Sequence, residues 1–277
     1  MLAKFSELDA ADPLIEKAEE AFRRAFDLNP DLPLAHNLYT YMEVERGRAR
    51  DAMTRLLRRA HERSADPELY AGLVHACRYC GLLEASIAAH DQARRLDPGI
   101  RTSVAHAFFF AGQFERAIQA DQDFPPYVSL MAQAMLGRDE EALALCRECL
   151  AREPASRQLM RVVQALEAVL DRRVEDGIGA IRDMLRVNFN DPEGWYYWAR
   201  ASARLGDGDL AIDLLARAVR GGFHCARALE TDGWLDLVRG RSEFRGLAAA
   251  ARAAHRDAAQ AFVAAGGDRI LGAAASA

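Results

Sequence analysis

Runs of valine, isoleucine and threonine of the kind that build strands are nearly missing from this chain of 277 residues. That shortage argues against a sheet-rich fold. No stretch reaches the roughly 18 to 20 uninterrupted apolar residues of a membrane-spanning helix. The opening residues MLAKFSELDAADP are acidic and hold no apolar core segment, so they do not read as a secretory signal. A basic excess is missing as well: the net charge is −5, which leaves no global signature of nucleic-acid binding. Cysteine is sparse and odd in number, five in all without disulfide-like spacing. That usage fits a reducing compartment, and the cytoplasm is the expected location.

Signatures of catalysis are missing too. There is no HExxH, P-loop, GxSxG or dinucleotide fingerprint. AHRDAAQAF at 254–262 contains His-Arg-Asp, but a kinase catalytic loop needs an asparagine five residues after Asp257, and Phe262 stands there. The stretch reads as a solvated helix face. DGDL at 207–210 lacks the remaining ligands of a calcium loop and reads as a turn. The expectation is a protein that is not an enzyme, with no cofactor and no metal.

What is abundant is alanine, leucine, arginine and glutamate, all good helix formers. A pattern recurs among them. GQFERAI at 112–118 returns as GRARDAM at 47–53, GLLEASI at 81–87, GRDEEAL at 137–143 and GDGDLAI at 206–212. EDGIGAI at 175–181 reads as a copy that lacks the leading glycine, and EKAEEAFRRAFDLNP opens the chain with a helix of the same type. The small residue of the pattern falls at Ala18, Ala52, Ser86, Ala117, Ala142, Ala180 and Ala211. Most steps lie between 31 and 38 residues, and the step from 117 to 142 is 25. Glycine supplies a left-handed helix end. The small residue lets the next, antiparallel helix approach closely. Pro30, Pro98, Pro154 and Pro192 stand about where the second helix should stop. One such hairpin cannot bury both apolar faces, so hairpins must stack.

These motifs resemble the tetratricopeptide repeat. PEGWYYWARASARLGDGDLAIDLLARAVRGGF at 192–223 is the fullest copy, with Trp195, Gly206, Ala211 and Ala218 at the family's positions. The resemblance covers roughly 14–223, six copies after a leading half, and departs from the family at Ser86, at the fifth turn and at FPPY, 124–127. It implies an all-α fold, a right-handed α-solenoid of antiparallel helix hairpins closed by a C-terminal capping helix. The expected layout is a repeat array over 1–223, then an irregular segment and capping helix over 224–277 in the same solenoid. DGWLDLVRGRSEFRGLAAAARAAHRDAAQAF at 232–262 is similar to the end segment of repeat regions in bacterial multidomain signalling proteins with serine/threonine kinase or adenylate cyclase domains.

The repeat decides between readings of CRYC, 77–80, and CREC, 146–149. It puts the first pair in the last turn of a first helix and the second pair mid-way along a second helix, where small apolar residues pack. Structural thiols are expected rather than a redox or metal site. ERGRARDAMTRLLRRAHER at 45–63 holds seven arginines against three acids, which reads as the wet face of an amphipathic helix.

Carried over copy by copy, the family's inner, concave face would hold Asn37, Tyr41, His75, Arg78, Thr102, His106, Phe109, Tyr127, Met131, Arg172, Tyr196, Arg200 and Arg204. Aromatics bury area cheaply and arginines grip carboxylates. The expected function is a non-enzymatic scaffold that holds a peptide or partner domain in that groove, without nucleic acid or membrane as partner. The alternative is a regulatory arm of a bacterial signalling system, and self-association through the solenoid ends stays open.

Overall fold

The computed structural model describes residues 11–152, 157–186 and 191–273. Every regular element among the described residues is helical. A leading helix α1 (Ala11–Leu28) precedes six hairpins. These are α2 (Pro33–Glu45) with α3 (Ala49–Glu62), α4 (Pro67–Tyr79) with α5 (Leu83–Leu96), and the short α6 (Val104–Phe110) with α7 (Phe114–Ala120). Then come α8 (Tyr127–Met135) with α9 (Asp139–Ala151), α10 (Arg157–Leu170) with α11 (Val174–Met184), and α12 (Pro192–Arg204) with α13 (Gly208–Arg220). The tail folds as α14 (Ala226–Thr231), a 3-10 turn (Gly233–Leu235), α15 (Asp236–Arg239), α16 (Ser242–Ala264) and α17 (Gly267–Leu271). The hairpins stack into an α-solenoid.

The recurring glycine does what the pattern demands. Gly47, Gly81, Gly112, Gly137 and Gly206 all hold positive φ at the turn between the two helices of a hairpin. Five residues after each glycine, Ala52, Ser86, Ala117, Ala142 and Ala211 are fully buried. Ser86 tolerates that place because its hydroxyl donates to the Val74 carbonyl at 2.7 Å.

The fifth hairpin corrects the register read from EDGIGAI. Its turn lies at 171–173, and Arg172 adopts φ +56°, the one positive φ outside glycine among the described residues. Arg172 therefore stands where other copies have glycine. Five residues on is Gly177, not Ala180, and a Cβ there would meet Leu205 at 2.6 Å. A left-handed non-glycine residue costs about 1–2 kcal/mol, partly offset by the lower unfolded-state entropy of arginine relative to glycine. Arg172→Gly is expected to stabilise the chain by roughly 0.5–1 kcal/mol, read as a higher urea midpoint; a lower midpoint would mean the turn is not left-handed.

Proline also acts differently from the expectation at one place. Pro192 does not stop a helix but opens α12 at its first turn, where a missing N–H costs nothing. Asp191 caps that helix by accepting from the Glu193 amide at 3.0 Å, and Asp66 caps α4 in the same way from Glu68. Pro30 and Pro98 lie in loops after α1 and α5, and Pro154 falls outside the described residues.

The tail does more than cover the last hairpin. α16 packs against α13 and α14 and also reaches α3, while α17 lies on α3 and α5. The array thus closes back on its own beginning. Along this seam the His224 amide donates to the Tyr79 carbonyl at 2.8 Å, Arg227 donates to the Ala111 carbonyl at 3.0 Å, and His255 Nδ1 lies 2.9 Å from the Cys80 carbonyl. Gly47 and Gly222 meet backbone to backbone: a Cβ on Gly222 would lie 2.5 Å from the Gly47 Cα.

Candidate functional site

α12 is the reason the closed coil has a filled centre. Its sequence GWYYWAR places four large aromatics in a row, which no single helix face can hold, and a helix apolar on all sides must be surrounded. Residues 192–203 of α12 are all buried. Tyr197 stacks on Phe110 with ring centroids 5.7 Å apart, and Tyr127 meets it edge-on at 5.6 Å. Tyr196 packs on Phe223 at 5.0 Å, and Phe223 in turn touches Phe110 and Tyr79.

Two buried arginines anchor this aromatic centre. Arg78, 2% exposed, donates from Nε to Glu193 at 2.7 Å, to the Ser103 carbonyl and hydroxyl, and to His75 Nδ1 at 2.9 Å. His106 Nδ1 sits 2.7 Å from the other oxygen of Glu193. Burial alone would push the Glu193 carboxyl up, but Arg78 and His106 outweigh it and hold the group well below the usual carboxylate range. Nearby, the Tyr79 hydroxyl donates to Asp191 at 2.6 Å. The second arginine, Arg200, is 1% exposed and donates to Asp232 at 2.5 Å, where the Tyr196 hydroxyl also donates at 2.7 Å. Burial raises the Asp232 carboxyl; Arg200 and Tyr196 win, and it lies below its ordinary value.

The inner-face residues named from the sequence therefore fall into three groups. His75, Arg78, Phe109, Met131, Tyr196 and Arg200 are buried. Arg78 and Phe109 reach α12, on which Tyr196 and Arg200 themselves stand, so these residues lie in the core and do not line an open groove. Asn37 is buried as well, and Tyr41, Thr102, His106 and Tyr127 are half-buried. Asn37 donates to Glu68, Tyr41 packs on His75 at 4.3 Å, Thr102 pairs with His90, and His106 reaches the Tyr197 hydroxyl at 2.7 Å. Arg172 and Arg204 are exposed, and Arg172 is a turn residue rather than an inner-face one. Glu193, Asp191, Asp232, Trp234, Phe110 and Phe223 complete the centre and were not among the expected residues. The aromatic run in α12 was the one sequence signal that pointed to it.

An open cleft of ≈ 580 Å³ lies at the turn edge of the last two hairpins. Buried Ile178 and Leu205 give it an apolar floor and exposed Val174 an apolar edge; Glu175, Arg182, Asp207, Asp209 and Arg241 bring charge to its lining. Arg182 pairs with Asp207 at 3.1 Å and Arg241 with Asp209 at 2.5 Å. Exposed Arg172 and Arg204 lie within two residues of Val174 and Leu205.

All five cysteines are buried and free. Burial pushes the thiols of Cys80, Cys146 and Cys225 up to about 12, and those of Cys77 and Cys149 upward as well. A thiol at that value is roughly 10⁻⁴ ionised at pH 8, and the thiolate is the nucleophile. No thiol is expected to react with a disulfide reagent in the folded chain, and all five on unfolding. Even one fast native thiol would contradict this burial.

No protein-family model and no curated protein matches the sequence. The chain is similar to one in the crystal structure of the APC/C hetero-tetramer Cut9–Hcn1, a tetratricopeptide-repeat structure, with a TM-score of 0.55 and 16% identity. The likeness covers 91% of this chain and 51% of that one, so this chain spans about half its length. At that identity the likeness shows the fold alone, a repeat solenoid. No helix among the described residues is long and apolar enough to cross a membrane.

Proposed function

We propose that this chain is a non-enzymatic protein-interaction scaffold of the cytoplasm whose partner is a protein or peptide. The solenoid fold supports this reading, since stacked hairpins offer an extended surface and repeat architectures serve that purpose. The observation that carries it is the cleft between α11 and the α12–α13 turn. Its volume falls in the range of about 300–1,000 Å³ typical of binding clefts, and an apolar floor inside a charged rim suits an apolar anchor side chain with polar flanks. Because the concave side already holds the chain's own residues, the partner meets this edge first, beside Arg172 and Arg204. Affinity capture from lysate would compare the wild type with a Val174→Asp, Arg182→Glu variant, both residues lining the cleft, whose helicity is unchanged. A protein enriched by the wild type, lost by the variant and rebound in purified form supports the reading. Identical captures by both remove the cleft from it.

A second reading has the similarity of segment 232–262 to the repeat ends of bacterial signalling proteins in its favour. In it the solenoid is a regulatory arm acting on a kinase, cyclase or transcription regulator. An output domain encoded beside this chain favours it, and neighbouring genes without one weigh against it.

A further inference from the structure

Residues 226–239 lie across α12 as a strap, and its contacts have the form of a bound ligand. Asp232 gives its carboxylate to Arg200 and the Tyr196 hydroxyl, both on α12, and its other oxygen accepts from the Trp234 amide at 3.0 Å. Two residues on, the Trp234 ring receives the Arg200 guanidinium at 4.1 Å and that of Arg204 at 5.8 Å. Leu235 follows, fully buried. The receiving side comes from three separate hairpins: Tyr196 and Arg200 from α12, Phe109 from α6, 5.1 Å below the Arg200 guanidinium, and Met135 from α8, whose sulfur is 3.0 Å from Arg200. The strap also carries bonds of its own beside those to α12, α13 and α16. Arg239 ties it internally by donating to the carbonyls of Leu229, Glu230 and Asp232.

We propose that this concave face is a recognition site for an acidic-aromatic segment of the pattern Asp-x-Trp-Leu, held in the resting chain by its own Asp232–Leu235 and open to a partner carrying the same pattern. The charge and ring complementarity define the class. A guanidinium and a phenol read the carboxylate, and the face of the same guanidinium reads the indole. The tether explains why the internal copy stays seated, since a short linker gives it an effective concentration in the millimolar range. A partner therefore needs either more contacts or a loosened strap. This inference rests on the scaffold reading, but its experiment uses a synthetic peptide, so its failure leaves the capture experiment at the cleft untouched.

The test uses the full chain. An Asp232→Asn, Trp234→Ala variant weakens the strap and leaves Arg200 without its carboxylate. A peptide of sequence ALETDGWLDLVR, residues 228–239, is titrated into wild type and variant. The expected result is saturable binding to the variant at least tenfold tighter than to the wild type, with a rise in the variant's Tm. A peptide with the first aspartate changed to asparagine should bind at least tenfold more weakly. Equal binding to both proteins, or none to the variant, overturns the proposal. So does a variant that fails to fold, because the strap is then inseparable core. Hydrogen exchange of the wild type gives a second readout. Amides of 226–239 should exchange faster than those of 192–204, and equal protection of the two would equally overturn it.

Discussion

Replacing Glu193 by glutamine should lower the stability of this chain by about 3–5 kcal/mol, the cost of leaving a buried charge without its partner. Arg78 would keep its guanidinium in a site that is 2% exposed, with Ser103 and His75 as its remaining polar neighbours. That loss is a large share of the roughly 5–15 kcal/mol that holds a typical domain folded. Arg78→Met should cost a similar amount for the mirror reason. The double variant Arg78→Met, Glu193→Leu should cost clearly less than the sum, because neither charge is then stranded. Urea unfolding of the four proteins measures this. Additive losses would show that the two side chains do not meet across the 115 residues between them. The same pair sets the acid limit. Folded Glu193 and Asp232 both titrate below their ordinary values. Their contribution is therefore complete above about pH 4.5, where unfolded carboxyls are ionised, and declines as pH falls toward the folded values. A urea midpoint that drops steeply below about pH 4.5 in the wild type should drop less in Glu193→Gln.

That pair also marks where the sequence stops being readable. The hairpins follow from local chemistry, a glycine at a left-handed turn and a small residue five positions later, and both signals lie within one copy. The fifth copy misled because arginine occupies the glycine position. RRVEDGI, 172–178, fits the spacing with Gly177 as the small contact, whereas Ala180 and Ile181 of EDGIGAI imitate the small-then-apolar end of the pattern three residues late. The burial of His75, Arg78, Phe109, Tyr196 and Arg200 was not legible in the same way. Whether an inner face stays open depends on how far the stack curves, and curvature accumulates from small rotations at every hairpin. The contacts that close it join residues more than a hundred positions apart, Arg78 to Glu193 and Tyr79 to Asp191, and no repeat motif encodes them. The nearest hint was compositional: Trp195, Tyr196, Tyr197 and Trp198 in succession cannot all face one neighbour.

Closure itself can be tested at a single methyl group. Gly222→Ala is expected to cost about 3 kcal/mol, from roughly 1–2 for a left-handed alanine and about 1–3 for overpacking. Gly222 sits at φ +107°, and the added Cβ would stand 2.5 Å from the Gly47 Cα. The obstacle is backbone, with no flexible side chain to move aside. The strain falls on the junction between the end of α13 and the α2–α3 turn, so it should be released by separating them. Gly112→Ala is the control. It carries the same kind of backbone angle, φ +73°, with nothing within 4 Å of the new Cβ, and should cost only about 1–2 kcal/mol. The decisive readout is local. The His224 amide, bonded to Tyr79 across the seam, should lose hydrogen-exchange protection in Gly222→Ala and keep it in Gly112→Ala. If both variants lose the same stability and His224 stays protected, the first and last hairpins are not in contact. The aromatic centre, with Arg78 and Arg200 in it, would then face solvent as an open groove. Closure and groove binding are thus competing uses of the same side chains, and the seam decides between them.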